Sequence, residues 1–371
     1  MSNDKPVFAV LGAGHGGKAM AADLASRGFR VRLFNRTFER VETIQIRGGI
    51  ELQAENGEHR FGPIETVSSD MGPVLEGAEV IMVVVPATAH RDIATFCVPH
   101  LRDGQIVMLN PGRTGGAIEF RQVLREQGCQ AQVVVAEAQT LIFASRSMGP
   151  AEAKIFRTKN TVPLAALPAT DTPRVLAALQ LAYPQFIPAK NVLHTSLDNM
   201  GAVFHPALTV LNSARIESTR GDFEFYIEGV TPTVAHILEA VDRERVTVAA
   251  SLGIRAQTAL EWLEAAYAAV GENLFEAIQA NPGYRGIKAP RILAHRYIFE
   301  DVPMSLVPIA ALGDRFGVST RATDSIVRMA SILHRTNYTR RGRTLAKLGV
   351  EKLSVGEITR YVEEGVLERN S

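Results

Sequence analysis

A glycine-rich loop near the start of the chain constrains the fold more than any other feature. Residues 7–11 form a continuous apolar run, residues 12–17 (GAGHGG) form the loop, and an alanine-rich, helix-like segment follows. An all-apolar strand is typical of a parallel sheet that is covered on both faces. The spacing G-x-G-x-x-G allows a tight turn at Gly12, close approach of phosphates to Gly14 and close helix–strand packing at Gly17. The segment therefore predicts a Rossmann unit that binds a dinucleotide.

Further short segments, mostly apolar, alternate with helix-like segments through the first half of the chain. They are typical of strands and cover residues 31–34, 80–85, 106–109 and 133–135. This alternation predicts a doubly wound parallel sheet. Pro86 ends one of these strands, and Asn110 and Pro111 end the next. Because such folds bind ligands at the carboxyl ends of their strands, we expect these three residues to line the cofactor site.

The pattern changes to helical periodicity at about residue 191. Long candidate helices cover residues 234–252, 258–270 and 324–334. A chain of 371 residues suits two domains. We therefore predict a dinucleotide-binding Rossmann domain over residues 1–190 and an all-α substrate or catalytic domain over residues 191–371.

Composition excludes several classes of protein. The chain has 46% hydrophobic and 21% charged residues, and its 40 basic and 39 acidic residues leave a net charge of +1. This is typical of a globular protein and gives no general attraction to nucleic acid or anionic membranes. The two cysteines have no metal-ligand spacing, and the longest strongly apolar run, residues 80–87, is far short of a membrane span. We predict a cytoplasmic protein with small-molecule partners and no metal. A homodimer is expected because symmetric dimers are the commonest assembly.

The end of the second predicted strand bears on the choice of cofactor. An NAD site usually has an acidic residue there that binds the ribose hydroxyls. Here the residues are Asn35 and Arg36. Asn35 lacks the charge that would repel a 2′-phosphate, and Arg36 can form a charge-assisted bond to it worth about 1.5–3 kcal/mol. NADP(H) is therefore favoured over NAD(H), the alternative being that Arg36 points into solvent.

His205 is the candidate acid/base group among the nine histidines. Pro206 follows it, and proline restricts the residue before it to an extended conformation. If a helix starts at Pro206, His205 lies at the mouth of that helix. Reduction of a C=O or C=N bond by hydride needs a proton donor beside the acceptor atom, and histidine titrates in the useful range.

Two segments of the second half resemble the signature stretches of the opine dehydrogenases. They are residues 199–206 (NMGAVFHP) and residues 295–302 (HRYIFEDV). The likeness to the norvaline-type members, the N-(1-D-carboxyethyl)-L-norvaline dehydrogenases, runs over nearly the whole chain. Its further collinear segments are residues 110–117 (NPGRTGGA), 192–196 (VLHTS) and 281–286 (NPGYRG). Collinear matches at separated segments are far more specific than the glycine loop.

The resemblance implies a reaction and a fold. In this family an amino acid α-amine and a 2-oxo acid condense to an imine, which hydride from NAD(P)H reduces. The resemblance implies that His205 is the general acid/base and that Asp301 is its charge partner, beside the nicotinamide. It also implies a Rossmann domain followed by a helical domain. Asn35 departs from the acidic residue of the norvaline-type enzymes, so the cofactor preference is not carried over from them.

Substrates with two carboxylates require a cation in the pocket. Arg285 and Arg296 can each bind a carboxylate bidentately, and a structural or surface role is the open alternative for both. Asn199 either orients substrate or caps a helix. Residues 113–116 (RTGG) either contact cofactor or substrate or form only a turn. Pyruvate is expected as the oxo acid by analogy with the family.

Two other functions compete with opine formation. A ketopantoate or β-hydroxyacid reductase would reduce a 2-oxo acid without an amine, but those families use a lysine near the start of the helical domain. Residues 199–211 contain no lysine, and no Lys-x-x-x-Asn occurs in the chain. A non-catalytic NADP(H) sensor would need the glycine loop but not the pair of His205 and Asp301.

Overall fold

Strands with buried side chains form the centre of the N-terminal unit in the computed structural model, which describes residues 5–367. The predicted runs form β1, β2, β6, β7 and β8. Within the described residues the strands are β1 (Phe8–Leu11), β2 (Val31–Phe34), β3 (Gly49–Gln53), β4 (His59–Pro63), β5 (Thr66–Ser68), β6 (Val80–Val83), β7 (Ile106–Leu109), β8 (Val134–Ala138), β9 (Phe143–Gly149), β10 (Glu152–Thr158), β11 (Val162–Leu167) and β12 (Phe186–Pro188).

The main sheet has the order β12-β11-β8-β7-β6-β1-β2-β5. Its neighbours are parallel except for β8 and β11, which are antiparallel. Leu11 lies opposite Phe34 on one side and Val83 on the other, and Val83 lies opposite Leu109. Four strands therefore end in register at one edge. The predicted doubly wound sheet is confirmed, with one antiparallel strand pairing that was not expected.

A second sheet of four strands, in the order β4-β3-β10-β9, was not predicted. Helix α1 (His15–Ser26), which follows the glycine loop, packs against β3, β4 and β9 of this sheet. The Lys18 ammonium donates to Ser147 Oγ (3.1 Å) and to the Gly149 carbonyl (3.0 Å), and the Ser147 amide donates to His15 Nδ1 (2.9 Å). The second sheet thus anchors the first turns of α1.

The helices complete both units. Those in the first half are α1, α2 (Glu42–Arg47), α3 (Met71–Leu75), α4 (His90–Cys97), α5 (Gly116–Glu126), α6 (Thr172–Leu179) and α7 (Val192–Leu197). Those in the second half are α8 (Met200–Leu211), α9 (Ser213–Thr219), α10 (Pro232–Ser251), α11 (Ala259–Tyr267), α12 (Leu274–Ala280), α13 (Arg296–Phe299), α14 (Val307–Phe316), α15 (Arg321–Leu333), α16 (Tyr338–Arg341), α17 (Leu345–Leu348) and α18 (Val355–Glu364). The described part of the second half is helical, as predicted.

The chain passes between the two units more than once. Of the described residues, the first unit contains 5–112, Gly116–Thr195 and 357–367; the second contains Arg113–Gly115 and Ser196–Gly356. The predicted boundary at residue 190 lies close to the passage after Thr195. The C-terminal segment was expected in the helical domain, whereas its contacts assign it to the first unit.

Helix α18 belongs with the first unit because its side chains contact residues of that unit. Tyr361 and Val362 are buried, and the Arg125 guanidinium lies 5.3 Å from the centre of the Tyr361 ring. Glu363 accepts a hydrogen bond from the Asn191 side chain (3.3 Å). Within residues 5–367, no helix is long and apolar enough to cross a membrane.

Candidate active site

The glycine loop has the geometry that its spacing predicted. Gly12 has φ +113°, and a Cβ on it would lie 2.5 Å from the Val84 carbonyl oxygen. A Cβ on Gly17 would overlap the Gly12 carbonyl oxygen, so this glycine permits the helix to approach the loop. Around Gly14, by contrast, no described heavy atom lies within 4 Å of an added Cβ. The open space at Gly14, at the start of α1, fits a pyrophosphate.

The other predicted cofactor residues lie at the same edge of the main sheet. Asn35 follows β2, Pro86 lies three residues after β6, and Asn110 and Pro111 follow β7 directly. The peptide bond between Asn110 and Pro111 is cis. The buried Asn110 side chain donates to the Met108 carbonyl (2.9 Å). The in-register strand ends therefore bring this set to the edge that carries the glycine loop.

Asn35 and Arg36 differ in their surroundings. The Asn35 Oδ1 atom accepts a hydrogen bond from the Ala13 amide (3.1 Å), and its Nδ2 atom donates to the Thr37 carbonyl (2.8 Å). Asn35 thus holds the glycine loop from the end of β2. The Arg36 side chain is 69% exposed, and its Nη1 atom lies 3.5 Å from Oδ2 of Asp92, which is 60% exposed. The ion pair of Arg36 with Asp92 therefore stabilises its position only weakly.

The second unit brings His205 and Asp301 together. The His205 Nδ1 atom lies 2.9 Å from Oδ2 of Asp301, although 96 residues separate them. Asp301 is fully buried, while the His205 side chain keeps partial exposure. Burial would raise the pKa of Asp301, but the Arg113 guanidinium and the His205 hydrogen bond outweigh it and lower that pKa. An ionised Asp301 can accept a hydrogen bond from Nδ1–H of His205, which leaves Nε2 for proton transfer.

The helix that carries His205 differs from the expected one. Helix α8 begins at Met200 and continues through Pro206, so His205 lies inside it and not before it. The restriction on the residue before a proline is a bias, and the buried apolar side chains of α8 outweigh it. Asp301 directly precedes a single π-helical turn, Val302–Leu306. Such turns are frequent at functional sites.

Arg113 belongs to the segment that was expected either to contact cofactor or substrate or to form only a turn, and no charge partner was predicted for it. Its side chain is 11% exposed, with Nη1 at 3.1 Å from Asp301 Oδ1 and Nε at 3.7 Å from Glu300 Oε1. The same Nη1 atom donates to the Asn199 side-chain oxygen (3.3 Å). Burial would lower the pKa of Arg113, but the charges of Asp301 and Glu300 raise it. The position of Arg113 after the end of β7 was visible in the sequence, but its pairing with Asp301 and Glu300 was not.

The three residues predicted to bind substrate are placed differently from one another. Asn199 precedes α8 but makes no side-chain cap; its Nδ2 atom donates to Ser305 Oγ (2.8 Å), and its oxygen accepts from Arg113. Arg296 begins α13, is 49% exposed and pairs with the buried Glu300 (2.8 Å). Arg285 is exposed in the turn after Tyr284. Glu300 thus joins Arg296 to Arg113.

A stack of aromatic rings covers one face of His205. The Tyr297 ring lies 4.0 Å from the His205 ring at an angle of 18°, and Phe225 stacks on Tyr297 with its centre 5.4 Å away. His295 meets Tyr297 edge-on at 4.4 Å. Burial, together with the positive charges of Arg296 and His205, lowers the pKa of His295. Asp301 and Tyr297 therefore fix the His205 imidazole both at one nitrogen and in its plane.

Known proteins match both halves of the chain. Residues 188–334 match the model of the NAD/NADP octopine/nopaline dehydrogenase alpha-helical domain, and residues 7–130 match the NAD binding domain of 6-phosphogluconate dehydrogenase. Over 360 residues the chain is 39% identical to an opine dehydrogenase of Arthrobacter sp. (strain 1C), a match that covers 97% of this chain and 99% of that protein. The chain belongs to the opine dehydrogenase family.

Solved structures show that this opine dehydrogenase shares its fold with other members of the family. Octopine dehydrogenase in complex with NADH and L-arginine matches with a TM-score of 0.83 and 20% identity, covering 99% of this chain and 100% of that one. Yersinopine dehydrogenase with NADP⁺ matches with a TM-score of 0.76 and 15% identity, covering 98% and 99%. The predicted family and fold are confirmed. The chain is an NAD(P)-dependent oxidoreductase that acts on CH–NH bonds.

Proposed function

We propose that this chain is an NADPH-preferring opine dehydrogenase that condenses an amino acid with pyruvate. The observation that carries the proposal is the buried Asp301, which is bonded to His205 Nδ1 at 2.9 Å and compensated by Arg113. Such a pair fixes the histidine tautomer and serves proton transfer at Nε2. A cofactor sensor would have no use for it.

In the proposed reaction His205 transfers the protons that imine formation requires. Its Nε2 atom takes a proton from the amino acid ammonium and later returns a proton to the hydroxyl that leaves as water. Asp301 stabilises the imidazolium between these steps, because its carboxylate faces Nδ1. When bound, NADPH supplies the hydride that reduces the imine carbon, and the product is a secondary amine with two carboxylates.

Arg296 is the proposed partner of a substrate carboxylate. It starts the segment that ends in Asp301, and its guanidinium is half exposed while Glu300 engages one of its nitrogens. The remaining N–H groups can donate to a carboxylate. Arg296 is preferred to Arg285 because Glu300 ties it to Arg113, and thereby to Asp301.

The preference for NADPH follows from the end of β2. Asn35 is uncharged and already bonded to the glycine loop, so it presents no negative charge to a 2′-phosphate. Arg36 is mostly exposed and loosely paired. A bond from Arg36 to a 2′-phosphate would be charge-assisted, and it would replace an exposed ion pair of a kind that contributes little.

The decisive test is cofactor oxidation by the purified protein with pyruvate, with and without each of a panel of amino acids. We expect NADPH oxidation that requires both pyruvate and an amino acid, with NADH used less efficiently. Oxidation with a 2-oxo acid alone would instead identify a ketoacid reductase. Tight NADPH binding without turnover on any pair would favour the sensor.

A further inference from the structure

Arg113 has an unusual backbone for a buried arginine. Four non-glycine residues of the described chain have positive φ: Arg113 (60°), Arg220 (52°), Ala268 (54°) and Arg335 (48°). The last three are exposed and lie at or just after the ends of helices, where the left-handed conformation is common. Arg113 ends no helix, and its side chain is largely buried. A left-handed non-glycine residue of this kind persists only where its surroundings hold it.

The surroundings of residues 113–115 supply that restraint. The Thr114 amide donates to the Met304 carbonyl (3.2 Å), and the Thr114 hydroxyl donates to the Ser196 carbonyl (3.1 Å). The Gly115 amide donates to Ser196 Oγ (2.9 Å). The buried Arg343 guanidinium donates to the Thr114 carbonyl (3.1 Å). These bonds fix the backbone that carries Arg113.

The path of the Arg113 side chain is also built into the second unit. Gly201 lies beside it on α8, and a Cβ at Gly201 would come within 2.6 Å of Arg113 Nη1. Asn199 accepts from the same nitrogen. Asp301 and Glu300 form ion pairs with the guanidinium at 3.1 and 3.7 Å. A glycine, an amide and two carboxylates therefore converge on one arginine.

We propose that Arg113 is a positioning residue for the reaction, which holds Asp301 as an acceptor for His205 Nδ1 and, through Glu300, orients Arg296. This inference rests on the proposed function for its chemistry, but not for its geometry. Arg113 makes no proton transfer itself in this proposal. It keeps the acid/base pair and the carboxylate-binding arginine in one connected set: Arg296, Glu300, Arg113 and Asp301 alternate in charge, and Asp301 bonds to His205.

Loss of Arg113 would leave burial as the main influence on Asp301. The pKa of Asp301 would then rise, because an uncompensated buried carboxyl favours its neutral form. A protonated Asp301 would donate to His205 Nδ1 and reverse the tautomer. Other titratable or charged groups also influence Asp301. They are His205 on α8, Tyr226, and four residues in or beside α13: His295, Arg296, Tyr297 and Glu300.

The test compares Arg113→Met and Arg113→Lys with the unchanged protein in the opine-forming assay across pH. Removal of a nearby opposite charge moves a carboxyl pKa by about 1–3 units. We therefore expect the acidic limb of kcat/KM for Arg113→Met to move up by about one pH unit or more, with turnover at pH 7 down about 10- to 100-fold. Arg113→Lys keeps the charge and should recover most of the pH profile. Arg220→Met is the matched control, because it removes an exposed arginine of the same backbone conformation.

A second readout does not depend on turnover. The ¹⁵N spectrum of histidine-labelled protein, with His205 identified from a His205→Gln variant, reports which ring nitrogen carries the proton. We expect Nδ1–H in the unchanged protein and a shift toward Nε2–H in Arg113→Met. If the unchanged protein forms no opine, the proposed function fails while this spectrum still decides the role of Arg113.

The proposal is overturned if Arg113→Met and Arg113→Lys lose activity equally at every pH and leave the His205 tautomer unchanged. That outcome would give Arg113 a purely structural role. If Arg113→Met does not fold, the double variant Arg113→Met/Glu300→Gln removes one buried charge of each sign and is measured in the same way. An unchanged pH profile and tautomer in a folded double variant would equally reject the proposal.

Discussion

Replacement of Arg36 by alanine is the sharpest test of the cofactor preference. In the free protein Arg36 makes one exposed ion pair with Asp92 at 3.5 Å, and pairs of this kind contribute about 0.2–1 kcal/mol. A hydrogen bond from Arg36 to a 2′-phosphate would contribute about 1.5–3 kcal/mol. The difference of about 0.5–2.8 kcal/mol corresponds to about 2- to 100-fold in the Kd for NADPH. Since NADH lacks that phosphate, its Kd should change by less than about twofold.

The assay is titration of protein fluorescence with each cofactor at one fixed salt concentration, because salt screens an exposed arginine. Asp92→Asn removes the competing carboxylate and should tighten NADPH binding by about 1.5- to 5-fold. Arg30→Ala is the control. Arg30 is exposed, lies just before β2 at the opposite edge of the sheet, and pairs with Glu65. If Arg36→Ala weakened both cofactors by the same factor, Arg36 would support the fold and not select the cofactor.

Three further changes probe both units. His205→Ala should lower turnover about 10²- to 10⁴-fold and leave NADPH affinity nearly normal; unchanged turnover would remove His205 from the mechanism. Gly17→Ala should destabilise the protein by about 1–3 kcal/mol, because its Cβ would overlap the Gly12 carbonyl. Gly14→Ala should keep the Tm of the unchanged protein and lose cofactor affinity. A lowered Tm in Gly14→Ala would contradict the open space at Gly14. Tyr297→Leu should lower kcat about 2- to 10-fold while Tyr297→Phe retains it, and equal losses would assign the effect to the hydroxyl.

The sequence predicted the parts of the fold that local patterns determine. The strands β1, β6 and β7 are unbroken apolar runs, and β2 and β8 are mostly apolar with one charged residue each, so all five are visible in the sequence. The glycine loop was equally visible, because its spacing answers a steric requirement. The strands of the second sheet were missed because β4 (HRFGP) and β9 (FASRSMG) have few apolar side chains, no regular apolar pattern and several exposed positions.

The candidate active site depends on contacts that no local pattern reveals. Arg113 reaches Asn199, 86 residues further along the chain, and its carboxylate partners lie further still. Family resemblance predicted that His205 and Asp301 act together, since their spacing carries no such information. Pro206 misled the local argument because buried apolar packing can keep a proline inside a helix.

The return of α18 to the first unit has a consequence for biosynthesis. A ribosome makes the chain from its N-terminus, so Tyr361 and Val362 emerge after every residue of the second unit. The place of α18 beside Arg125 can therefore be filled only after the whole second unit has been synthesised. A nascent chain that stopped before Glu357 would lack Tyr361 and Val362, which are buried in the first unit, although most of that unit would already have been made.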